Sequence, residues 1–320
     1  MQRRKNIAAL IIMPVLLASI TISGCGNRTR EEHNPGDTAE PEAPAATDTF
    51  DIPEIPAAAA PGTAAIENKK AIIDFSNARE GYIMAKFNQD TGKEVRALVV
   101  VPDGTQYQYR LIPGGSYDVL PLSGGDGEYT FSIWEHAEES KFALVLTATV
   151  TVTLDNEFVP FIRPNKFVSY DRGSKAVRKA AELASDADSP MEIISAVYNY
   201  IIANITYDEE LAQTVQSGYL PDLDAVLDKG TGICFDYAAL MTAMLRSQGI
   251  PTKLVFGYTG DEYHAWISVY TSETGWLDNT IYFDGLNWSL MDPTFAAGEQ
   301  TGNIADYIAD SSNYTVKFMY

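Results

Sequence analysis

The sequence predicts two folded regions in series, an all-β sandwich-like domain over 67–160 and an α+β domain over 161–320. Three observations predict this. Short strand-like runs separated by turn signals fill the first stretch. Capped segments with helical apolar spacing open the second. A series of strand-like runs then closes it, and helices followed by strands of this kind indicate α+β rather than a doubly wound parallel sheet.

In the β region the candidate strands are 71–75, 82–87, 95–101, 106–111, 115–119, 129–134 and 141–154. Gln89-Asp90-Thr91-Gly92, Pro102-Asp103-Gly104 and Ser123-Gly124-Gly125-Asp126-Gly127 supply turns between them. Tyr129-Thr130-Phe131-Ser132-Ile133-Trp134 alternates apolar and polar residues, as a half-buried strand does. No constellation for chemistry occurs here, and the region reads as a spacer, a partner-binding module or a support for the next domain.

The α+β region begins with a helical pattern over 174–183. Ser189-Pro190-Met191-Glu192 then combines a capping box with proline at the first helical position, and it predicts a helix running to about 205. Shorter helices are expected at 209–216 and 223–228. A further helix starts at Cys234, turns Ala238, Met241, Met244 and Leu245 inward, and stops at Gly249-Ile250-Pro251. Strands are expected at 253–258, 264–270, 280–283, 286–291 and 315–320.

The amino-terminal end reads differently. Arg3, Arg4 and Lys5 precede a largely apolar run over 7–20, and Ile22-Ser23-Gly24-Cys25 follows. That order predicts a secretory signal over 1–24, too short in its apolar part to span a bilayer. The cysteine after small residues resembles the lipobox of bacterial lipoproteins, which implies that Cys25 becomes the lipidated first residue of the mature chain. Residues 25–66, rich in Ala, Pro, Thr and Glu, read as a disordered tether. The expected location is extracytoplasmic, anchored by lipid to the bacterial membrane.

A formal net charge of −20 argues against nucleic-acid binding, which needs a basic footprint. Two cysteines and three histidines do not make a typical structural zinc site, and the reading needs no metal and no cofactor. If Cys25 carries lipid, Cys234 has no disulfide partner, and an exported protein with one unpaired thiol draws attention to that thiol.

Cys234 lies in Gly230-Thr231-Gly232-Ile233-Cys234-Phe235-Asp236-Tyr237, a glycine-rich loop running into a helix. The unpaired N–H groups and dipole of a helix start favour a thiolate there. His264 follows in Tyr263-His264-Ala265-Trp266, and Asp292 in Met291-Asp292-Pro293-Thr294. A cysteine nucleophile needs a base, and the base needs a group that fixes its ring. Cys234, His264 and Asp292 are the residue types for those three roles. Asp236 reads as a first-turn carboxylate that complements the dipole but opposes a thiolate nearby, and Tyr237 reads as packing.

With these motifs, residues from about 189 to 293 resemble the bacterial transglutaminase-like superfamily. Gly232-Ile233-Cys234, His264-Ala265-Trp266 and Asp292-Pro293-Thr294 carry the resemblance, supported by Ile205-Thr206-Tyr207-Asp208 and Leu245-Arg246-Ser247-Gln248-Gly249-Ile250-Pro251. The resemblance implies a papain-related α+β core and acyl transfer through a thioester, with Cys234, His264 and Asp292 as the triad. The Cys234 backbone N–H is a natural oxyanion donor. Tyr207 is the candidate for a second donor, while Trp266 is a candidate substrate contact or a core aromatic. The expected function is surface-tethered acyl transfer on amides of proteins, peptides or cell-wall peptides, by hydrolysis or transamidation. The alternative is a non-catalytic adhesion or assembly module that keeps the fold.

Overall fold

Eight strands form the first part of the fold, in two antiparallel four-stranded sheets. One sheet joins β1 (Ala65–Glu67), β2 (Ala71–Asp74), β3 (Tyr82–Phe87) and β6 (Asp118–Pro121) in the order β1-β2-β3-β6. The other joins β4 (Val95–Val100), β5 (Gln106–Leu111), β7 (Gly127–Glu138) and β8 (Lys141–Val152) in the order β5-β4-β7-β8. The structure is a computed structural model, and it describes residues 50–278, 282–283, 288–289 and 314–320. The signal segment, Cys25, the tether up to residue 49 and Asp292 lie outside the described residues.

Alternation explains why the two sheets stack. Ile73, Ile83, Ala85 and Leu120 of the first sheet share one interior with Ala97, Val99, Phe131 and Ile133 of the second. On β5 the pattern is strict, with Tyr107, Tyr109 and Leu111 buried and Gln106, Gln108 and Arg110 exposed. A period of two on a pleated strand places those residues on opposite faces. Residues 50–64 form no regular strand. Arg172 holds Glu54 at 3.1 Å, and the Ala59 and Gly62 N–H groups donate to Tyr82 Oη and Asp74 Oδ2.

The second part contains α1 (Lys175–Ala184), α2 (Pro190–Asn204), β9 (Thr206–Tyr207), α3 (Glu209–Thr214), α4 (Leu223–Lys229), β10 (Thr231–Gly232) and α5 (Cys234–Ser247). Four antiparallel strands follow, β11 (Thr252–Thr259), β12 (Glu262–Thr271), β13 (Gly275–Leu277) and β16 (Tyr314–Met319), in the order β13-β12-β11-β16. A two-stranded ladder of β14 (Tyr282–Phe283) and β15 (Trp288–Ser289) lies between β13 and β16 in sequence. The α+β class and the sandwich-like β region are therefore as the sequence predicts.

The capping box at α2 forms with a shifted partner. Ser189 Oγ accepts the Glu192 N–H at 3.3 Å, while the Glu192 carboxylate accepts from Asp188 rather than Ser189, at 2.7 Å. The helix that starts at Cys234 departs further from its reading. The sequence suggests one inward face, yet every residue from Phe235 to Ser247 is buried. The reason is its central place: α1, α2 and α4 pack around it, and β11 and β12 pack against it too. A helix covered on all sides has no solvent stripe to keep polar.

The β and α+β regions meet through aromatic rings. Tyr320, whose backbone pairs with Leu254, lies 5.3 Å from Tyr107, 5.9 Å from Tyr109 and 4.3 Å from Phe167 between ring centroids. Arg246 ties the same place from below. Its guanidinium donates to the carbonyl oxygens of Thr252 (2.8 Å), Arg163 (2.8 Å) and Tyr320 (2.6 Å). Burial lowers its pKa to about 10, so it remains a cation at neutral pH.

Candidate active site

Cys234 is the first residue of α5 and is half-buried, in no disulfide. What precedes it explains its placement. Gly230 ends α4, and Thr231 and Gly232 then pair in parallel with Thr206 and Tyr207. The ladder is closed by Thr206 N–H to Gly230 O (2.8 Å) and Asp208 N–H to Gly232 O (2.9 Å). This two-residue ladder sets Tyr207 directly across from Gly232, two positions from the cysteine. Tyr207 is 36% exposed, as a side chain open to a ligand must be. Burial, and then the charge of Tyr207, push the Tyr237 phenol up to about 12, and its hydroxyl donates to the Ile205 carbonyl oxygen at 2.6 Å.

The N-cap residue, Ile233, has no side-chain acceptor, and Asp236 compensates. Its Oδ2 accepts the Ile233 N–H at 2.8 Å, and its Oδ1 accepts the Tyr219 hydroxyl at 2.7 Å. Asp236 is fully buried, and burial raises its pKa against the lowering effect of those two donors. The carboxylate expected at the first turn is thus engaged in holding the helix start. Burial, reinforced by Asp236, holds the Tyr219 phenol above its usual range. Tyr219 comes from the loop before α4 and carries no sequence signal for this role.

Gly232 makes the arrangement possible. A Cβ there would lie 2.7 Å from Asp236 Cβ and 3.1 Å from its Oδ2. Gly232→Ala is expected to cost about 1–3 kcal/mol by overpacking. It should also displace the cap and slow Cys234 alkylation. Thermal melting together with iodoacetamide labelling checks both effects.

His264 lies in β12, 7% exposed, and pairs across the ladder with Gly257 of β11. Alternation along β12 sends Ala265, Ile267 and Val269 into the large core with α5, while Trp266 joins Val255 and Tyr314 in a separate cluster. His264 shares the Trp266 side of the strand. The two rings are nearly parallel, at 23° and 6.3 Å between centroids. Trp266 is fully buried, so it supports the imidazole and presents no surface to a substrate. Gly257 leaves room for it: a Cβ there would meet the indole at 2.7 Å and the Thr315 carbonyl oxygen at 2.1 Å.

The cysteine helix and the histidine strand are neighbours, because α5 packs directly on β12. An aromatic chain links their functional ends. Phe235, next to Cys234, meets Phe256 edge-on at 4.9 Å, and Phe256 stacks with Tyr263, next to His264, at 6.2 Å. Burial raises the Tyr263 phenol, followed by the charges of Tyr258 and Cys234. The ring contacts therefore set the start of α5 near Tyr263, and the β9–β10 ladder sets Tyr207 opposite Gly232, while His264 shares the other side of β12 with Trp266. Asp292 is outside the described residues.

Residues 177–293 match the family described as the transglutaminase-like superfamily, an interval that contains Cys234, His264 and Asp292. The uncharacterized protein YebA of Bacillus subtilis is 30% identical over 118 residues, 31% of this chain and 16% of that protein. The kyphoscoliosis peptidase of Mus musculus is 28% identical over 37% of this chain and 18% of its own length. A protein-glutamine gamma-glutamyltransferase of Pseudomonas aeruginosa is 35% identical over 17% of this chain and 10% of its own length. The chain thus spans less than a fifth of the length of these relatives. Among solved structures, red sea bream transglutaminase aligns over 67% of this chain and 48% of its own, at 13% identity and a TM-score of 0.27. The likeness to the transglutaminase-like superfamily thus rests on residues 177–293.

Proposed function

We propose that the chain is a cysteine acyltransferase or amide hydrolase, with Cys234 as nucleophile, His264 as base and Asp292 as the group that orients the imidazole. The observation that carries this reading is the placement of half-buried Cys234 at the first position of a capped helix whose other residues are all buried, inside the family-matched interval. Sγ attacks the carbonyl carbon of a carboxamide or peptide, and the sulfur proton passes to His264. The C–N bond then breaks, and the imidazolium gives that proton to the departing ammonia or amine. Water or a second amine attacks the resulting thioester and releases the acyl group, restoring the thiol. The Cys234 N–H and the Tyr207 hydroxyl are proposed to stabilise the oxyanion. The reading requires the imidazole to reach Sγ around the edge of β12, since His264 shares the Trp266 side of that strand.

A peptidase and a glutamyltransferase among the relatives support amide chemistry and leave both acceptors open, water and amine. The test is incubation with glutamine-containing peptides, with and without a labelled primary amine. The expected results are an acyl-enzyme mass on Cys234 and either released ammonia or an amine-linked product. A chain that forms neither against a broad peptide set is the non-catalytic module instead.

The anchor is part of the same proposal. The signal features at 1–24 and the cysteine at 25 support a lipid on Cys25 and an extracytoplasmic position. Mass spectrometry of the membrane-extracted protein should find a lipidated chain starting at Cys25. An unmodified chain starting at Met1, or only a soluble secreted form, contradicts it.

A further inference from the structure

We infer that the β region builds a substrate subsite, and that Arg110 makes it selective for acyl-donor peptides carrying a carboxylate beside an apolar side chain. This inference rests on the acyl-transfer reading and names the substrate class for it. A cavity of about 610 Å³ opens where the two regions meet. One wall comes from the β region, through Glu94, Arg96, Gln108, Arg110 and Ile112. The other comes from the α+β region, and it includes Phe235 and Tyr263, the immediate neighbours of Cys234 and His264. A peptide held at the cysteine would therefore run into this cavity and touch the β region.

The lining specifies the occupant. Phe167, Phe235, Phe256 and Tyr320 form an aromatic floor. At the rim, Ile112 is 68% exposed, Tyr263 55% and Leu220 39%, an apolar edge suited to a large apolar side chain. The cations of the lining are not equivalent. Arg96 is held by Glu94 at 2.7 Å and Lys166 by Asp118 at 2.7 Å. The Arg110 side chain has no hydrogen-bond or ion-pair partner among the described residues, and its backbone pairs in the β4–β5 ladder. It is near enough to Glu94 to lower that carboxyl, after the larger effect of Arg96. Its guanidinium lies against the Gly218 backbone of the opposite wall, 3.4 Å from where a side chain would begin. A guanidinium at an aromatic cavity, without a hydrogen-bond or ion-pair partner among the described residues, has a carboxylate as its natural complement.

The test measures binding separately from turnover. The Cys234→Ala form of the full chain is titrated with fluorescein-labelled, end-blocked hexapeptides containing one glutamine and one leucine, with glutamate or a neutral residue at the other positions. The acidic peptides should bind about fivefold more tightly than their neutral counterparts at low salt, with the preference shrinking as salt rises. Arg110→Ala should remove the preference, Arg110→Glu should invert it, and Arg110→Lys should retain part of it. Equal binding of acidic and neutral peptides, no binding of either, or a preference that survives Arg110→Ala overturns the inference. An Arg110-dependent preference in a chain whose wild-type form never yields an acyl-enzyme would instead sink the catalytic reading and keep the subsite.

Discussion

Cys234→Ala is expected to lower turnover on any amide substrate by at least about 10⁴-fold, with no acyl-enzyme left to detect. The size of the effect follows from the chemistry. Without Sγ there is no atom to form the thioester, and the oxyanion donors and binding surface retain only the residual catalysis that positioning supplies. Folding should be almost unaffected, because Cys234 is half-buried at the end of α5 and holds none of the hydrogen bonds that cap it. His264→Ala should be nearly as severe, since the proton then has no acceptor. Asp292→Ala should cost less, because the base remains and its orientation alone is lost. Steady-state kinetics and intact-mass spectrometry of the three variants check this order. Equal activity of Cys234→Ala and the wild type would remove the nucleophile from the account.

Arg246→Met is expected to destabilise the fold by about 3 kcal/mol, which for a folded region of this size lowers the melting temperature by about 5–8 °C. Methionine fills much of the same volume, so the loss comes from hydrogen bonds rather than from a cavity. Three carbonyl oxygens lose a charged donor in the interior. Tyr320 O keeps the Leu254 N–H, so the penalty falls chiefly on Thr252 and Arg163. Arg246→Lys should recover only part of the stability, since an ammonium does not reach three divergent acceptors as a planar guanidinium does. Differential scanning calorimetry measures both variants. A loss under about 1 kcal/mol for Arg246→Met would show that water replaces the guanidinium.

Local rules made much of this legible in the sequence. Strand runs such as 82–87 and 106–111 appear at the bounds read from the sequence, and α5 begins at Cys234 and ends two residues before Gly249. The parts that stayed hidden depend on residues far apart in the chain. Nothing near Arg246 shows that its three acceptors come from 163, 252 and 320. Nothing near Asp236 shows that Tyr219 donates to it, or that Gly232 is small so that the carboxylate fits. Trp266 reads as a possible substrate contact from its place two residues after histidine. Its burial against Gly257 and Tyr314 is a property of three strands together. The β region reads as a spacer because it carries no catalytic motif. Its contribution to the cavity appears only once Arg110 is seen facing Gly218 across the two walls.

Activation of Cys234 by His264, as proposed, is tested most directly by the alkylation rate of Cys234 near neutral pH, followed by intact mass in the wild type and in His264→Ala. Wild-type labelling is expected to be at least about tenfold faster than that of an ordinary exposed thiol, with a fall to the ordinary rate in the variant. Slow labelling in both proteins, with no difference between them, would contradict it.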